Sequence, residues 1–121
     1  MPCKKSLDVI VHATPQAVFN FLCAQGTILN DYVVKYADRQ KLTVFLKGKI
    51  NWLSWGEDIT IETRSEADTV TRVTIISKPA VPTTLIDWGR NQENVNKIAQ
   101  FLYSVFPFPV APAHQQLSAN N

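Results

Sequence analysis

The chain has 121 residues, 45% of them hydrophobic and 18% charged, with a formal net charge of +2. That length holds one ordinary core rather than two, and that balance excludes a disordered segment. Acids and bases alternate along the chain, which argues against the basic stripe of a nucleic-acid binder, and no apolar run reaches the roughly 20 residues of a membrane-spanning helix.

Met1-Pro2-Cys3-Lys4-Lys5 leads straight into an alternating segment. No apolar stretch follows the lysines, so no signal peptide is expected and the expected location is the cytoplasm. Leu7, Val9 and Val11 then share one face, while Ser6, Asp8, Ile10 and His12 share the other, the pattern of a half-buried strand. Thr14 stands where a helix cap belongs and Pro15 at the first helical position, where its missing N–H costs nothing. Val18, Phe21 and Leu22 recur at helical spacing, Phe19 and Cys23 widen the stripe, and Gly26 supplies a stop. The spacing predicts a helix from 15 to about 25.

Residues 27–30 read as a connection. Tyr32, Val34 and Tyr36 alternate with Val33, Lys35 and Ala37, and Leu42, Val44 and Leu46 with Thr43, Phe45 and Lys47. With Asp38-Arg39-Gln40 as the turn, these segments form an antiparallel hairpin. Gly48 marks a bend or bulge. The stretch 50–56, with Trp52 and Trp55, fits either a prolonged strand or a wide loop. In the next hairpin Ile59, Ile61 and Thr63 face one way and Asp58, Thr60, Glu62 and Arg64 the other. Glu66-Ala67-Asp68 turns the chain, Val73 and Ile75 continue the inner face, and Arg72 and Thr74 the outer one. Pro79 and Pro82 end the sheet, because proline cannot donate to a ladder.

A last helix starts at Arg90 or Asn91, with Val95, Ile98, Ala99, Leu102, Val105 and Phe106 as its buried stripe and Asn94, Asn96, Lys97 and Gln100 off it. Pro107 stops it. Residues 1–106 read as a single domain and 107–121 as a proline-rich tail, partly disordered or docked. The order β-α-β-β-β-β-α defines an α+β fold of two layers, an antiparallel sheet with both helices on one face.

The strand followed by His12-Ala13-Thr14-Pro15-Gln16-Ala17-Val18-Phe19 resembles the opening of START-like, or Bet v 1-like, helix-grip domains. The resemblance covers about fifteen residues closely and the rest by order of elements, an order also similar to the TBP-like arrangement. It implies a curved sheet gripping the last helix over an apolar cavity, in proteins that bind lipids, steroids or other apolar molecules, some with catalysis. This chain is shorter than a full helix-grip domain and lacks two strands and a small second helix, which argues against a large cavity. Asp87-Trp88-Gly89-Arg90-Asn91 resembles a stretch of small bacterial proteins, a likeness that implies no activity.

Few residues converge on chemistry. Asp8 and His12 lie four apart on one strand, too far for direct pairing, so with Ser6 they read as an exposed face and not as a triad. Glu57, Asp58 and Glu62 read as solvated charges. Cys23 has neither a helix N-terminus nor a cationic neighbour and reads as a core thiol. Cys3 and Cys23 form no CxxC pair and have no His cluster, so reduced thiols and no metal are expected. The lysine-rich segment from Lys35 to Lys49 reads as a solvated strand face. Arg90, at a helix start behind Gly89, offers a charged fork for an anion, against ordinary capping by Asp87 or Asn91.

Clustered aromatics then suggest the function. A small apolar or aromatic ligand, held between sheet and closing helix, is expected to touch some of Phe21, Tyr32, Tyr36, Trp52, Trp55 and Trp88. The alternative is a homodimer built on the apolar tail around Phe108 and Val110, with Ile10 and Phe45 on the outer sheet face. No cofactor, nucleic acid or membrane partner is expected. Catalysis rests on the resemblance alone, and a non-catalytic domain is the expectation.

Overall fold

A computed structural model describes residues 4–48, 56–80 and 89–107. Its elements are β1 (Lys5–Val11), α1 (Pro15–Cys23), β2 (Thr27–Ile28), β3 (Tyr32–Asp38), β4 (Thr43–Gly48), β5 (Glu57–Ala67), β6 (Val70–Pro79) and α2 (Arg90–Val105). Trp52, Trp55, Trp88, Cys3 and the tail residues Phe108 and Val110 lie outside the described residues.

The six strands form one antiparallel sheet in the order β1-β6-β5-β4-β3-β2, curled into a half-barrel with both helices against it as a second layer. Five strands run as a meander, and β1 crosses to pair with β6 from Lys5 opposite Ser77 to Val11 opposite Thr71. α2 packs on β1 and β6, and α1 on β4, β5 and β6. The inner face carries Val9, Val11, Val73, Ile75, Ile59, Ile61, Val44 and Leu46 into one core with Val18, Phe19 and Leu22 of α1 and Val95, Ile98 and Leu102 of α2. Alternation on the strands and the 3.6-residue spacing on the helices account for that set.

The cap of α1 forms as its sequence dictates: Thr14 Oγ1 accepts the Ala17 N–H at 3.1 Å behind Pro15. The helix ends at Cys23, a free, half-buried thiol packed against the core. Residues 27–30 are more than a connection. Thr27–Ile28 pairs with β3, and Leu29 (φ 55°) and Asn30 (φ 59°) make a tight turn in which the Asp31 N–H donates to the Ile28 carbonyl at 3.1 Å. Two positive-φ residues in succession match the twist of a hairpin, a geometry that leucine does not advertise.

The alternation of β3 breaks in its middle. Val34 faces Leu46 and Tyr36 faces Phe45, so Lys35 is the extra residue of a β-bulge. The bulge puts Tyr36 on the opposite face from Tyr32 and Val34, correcting the strict alternation read from the sequence, and turns Ala37 inward against the core. Asp38 Oδ1 accepts the N–H groups of Gln40 (3.0 Å) and Lys41 (3.1 Å) and so builds the expected turn. The second hairpin turns at Asp68–Thr69, one step later than expected, because its register shifts between Ser65 and Ala67.

Candidate functional site

The structure overturns the sequence reading of Asn94, placed off the buried stripe of α2 but 2% exposed, of Val105, placed on it but 40% exposed, and of Glu57. Glu57 lies two positions before Ile59, on the inward face of β5, and is 1% exposed. A bare carboxylate there is costly unless it is paired and hydrogen-bonded. Asn94 of α2 donates from Nδ2 to Glu57 Oε1 at 3.0 Å, and Arg90 Nη2 lies 3.5 Å from the same oxygen. Gly48 at the end of β4 makes the room, since a Cβ there would stand 3.0 Å from Glu57 Oε1.

The cluster continues through the interlayer. Asn94 Nδ2 also donates to Ser77 Oγ at 3.2 Å, and Ser77 donates to Asn91 Oδ1 at 2.6 Å. Tyr32, from β3, donates its hydroxyl to Asn94 Oδ1 at 2.7 Å. Five buried polar side chains from three strands and one helix therefore meet beneath the first turns of α2. Burial pushes the Tyr32 phenol above its ordinary range, with the nearby carboxylates of Asp31 and Glu93 adding to the effect, so the hydroxyl stays a neutral donor. Among the described residues Arg90 Nε is a buried nitrogen with no hydrogen-bond partner. Asn91 does not cap the helix as expected. The cap is Gly89 at φ 76° with no side-chain hydrogen bond, and Asn91 points into the cluster.

The sequence-predicted residues fall in separate places. Tyr32 and Arg90 belong to the buried cluster. Phe21 packs on Phe101 (5.9 Å between ring centroids) and edge-on to Phe106 (5.4 Å). Phe101 is eleven residues along α2 from Arg90, about 16 Å at the helical rise. Tyr36 is 60% exposed on the outer face and stacks on Phe45 at 5.4 Å. Tyr36 therefore stands on the opposite face of the sheet from Tyr32 and Phe21, which pack on the core side. Sequence reasoning missed Glu57, Ser77, Asn91 and Asn94. The signal was present, since Glu57 has the parity of Ile59, and Asn91 and Asn94 stand four residues before Val95 and Ile98.

Asp8 and His12 do not pair. Asp8 accepts from Thr74 Oγ1 (2.7 Å) and Arg72 Nη1 (2.9 Å), while His12 Nε2 lies 2.9 Å from Thr69 Oγ1. Among the described residues no group of three His, Cys, Asp or Glu side chains comes together, and no helix is long and apolar enough to cross a membrane.

A curled antiparallel sheet carrying two helices is a helix-grip-like fold in its general form, an architecture common among small-molecule-binding superfamilies. No family model and no curated protein matches the chain.

Proposed function

We propose that this chain is a non-catalytic binding domain for a small, mainly apolar or aromatic ligand, with the cluster around Glu57 fixing the ligand's polar end. The observation that carries the reading is the buried Glu57–Asn94 pair, with the half-buried Arg90 against it, in an interlayer lined mainly by Val, Ile, Leu and Phe. Replacing a buried ion pair by apolar residues is often neutral or stabilising, so its presence supports a use beyond stability. The Arg90 Nε supports a ligand with an acceptor, a carbonyl or carboxylate, next to it.

Native mass spectrometry of the full chain tests this. The expected result is a bound molecule of a few hundred daltons that is retained by the wild type and lost in Arg90→Gln. A wild-type chain that carries nothing, and that a panel of aromatic carboxylates and ketones fails to stabilise in thermal unfolding, ends the reading.

A further inference from the structure

The outer face of the sheet is ordered into rows by its register. Ser6, Ile76, Thr60, Phe45 and Tyr36 stand opposite one another across five strands and make an uncharged row, aromatic at its β4–β3 end. Lys78, Asp58, Lys47 and Val33 make the next row toward the Gly48 end. On the other side of the aromatic row lie Asp8, Glu62 and Asp38. Each row is two residues from the next along a strand, about 7 Å. Beyond the acidic row Ile10, Arg72 and Arg64 make a further row, in which Arg72 pairs with Asp8, so basic and acidic rows alternate across the outer face.

A recess of about 500 Å³ opens between the aromatic and basic rows, lined by Lys35, Phe45, Lys47, Asp58, Thr60 and Lys78. Lys35 is the bulged residue of β3, which places a third ammonium at this recess. Asp58 holds Lys47 at 3.0 Å. Lys35 and Lys78 have no ion pair among the described residues. Three cations against one carboxylate leave the recess positive beside an apolar floor.

We infer that this recess is a second binding site, for a compact aromatic anion whose ring lies on Phe45 and whose phosphate or carboxylate sits among Lys35, Lys47 and Lys78. The acidic row sets the size of the ligand. A single ring with one anionic group spans the about 7 Å from aromatic to basic row, whereas a polyanion laid along the strands meets the carboxylates of Glu62 and Asp38 beyond the aromatic row. The site is on the opposite face from the Glu57 cluster and does not rest on the function proposed for that cluster.

Amide chemical shifts of the full chain, titrated with phenyl phosphate, test the inference, with inorganic phosphate, phenol and single-stranded oligothymidylate as separate arms. Saturable shifts at Phe45, Lys47, Thr60 and Lys78 are expected, with phenyl phosphate tighter than either fragment. Lys35→Glu combined with Lys78→Glu should weaken binding about tenfold or more, and Asp58→Asn, which frees Lys47, should tighten it about two- to threefold. Inorganic phosphate binding as tightly as phenyl phosphate, shifts confined to the other face, or an affinity indifferent to all three substitutions overturns the proposal. Tighter binding of oligothymidylate would replace the compact anion by a nucleic-acid strand and overturn it equally.

Discussion

Tyr32 is 2% exposed and directs its hydroxyl at Asn94 Oδ1, 2.7 Å away. Removing the hydroxyl leaves that amide oxygen buried without this donor, a cost of about 1–3 kcal/mol that exceeds the roughly 1 kcal/mol of an average hydrogen bond. Tyr32→Phe should therefore lower the unfolding free energy by that amount, seen as a lower urea midpoint with an unchanged slope. A loss under about 0.5 kcal/mol would show that the cluster does not depend on this donor. The same residues show why the site was hard to read from sequence. Parity placed Glu57 with Ile59, yet carboxylates are almost never fully buried unless paired. Its partner Asn94 comes 37 positions later and leaves no local trace. Tyr32 was legible as an inward aromatic, but its neighbour in space was not.

At the scale of the element, β1, α1, the hairpins and α2 were legible because period-2 and period-3.6 patterns are strong over seven residues or more. The exceptions are local. β2 has two residues, too few to show a period, and the β3 bulge inserts one residue without any composition cue. The turn after β2 carries a testable strain. Leu29 sits at φ 55° and is 41% exposed, so it bears the left-handed penalty of about 1–2 kcal/mol and buries little in return. Leu29→Gly removes the Cβ that causes the penalty, offset in part by the entropy glycine adds to the unfolded chain. The net expectation is a gain of about 0.5–1 kcal/mol in chemical denaturation. A loss of stability would mean that Leu29 packs usefully on Phe101 of α2, with which it lines a groove.

At the scale of the molecule, the layers followed from the order of elements, while the arrangement of charges into rows on the outer face needed the register of five strands. That register also decides how β1 is held. β1 is the one strand whose partner lies far along the chain, and α2 covers it from inside. On the outside, Asp8 ties it to β6 through the Thr74 hydroxyl at 2.7 Å and Arg72 at 2.9 Å, with Arg72 also bound to Glu66 of β5. The Thr74 hydrogen bond, helped by Arg72, holds the Asp8 carboxyl below its ordinary value of 3.8. A folded-state value lower than the unfolded one means that the ionised form stabilises the fold. That contribution is complete above 3.8 and disappears as the pH falls through the lower folded-state value. Asp8→Asn should accordingly melt below wild type near neutral pH, and the two melting temperatures should converge as the solution is acidified well past 3.8. Because Asp8 is nearly half exposed, the gap should also shrink in high salt. A gap that persists unchanged into strong acid would show that Asp8 acts by shape rather than charge, and that β1 is held from its inner face alone.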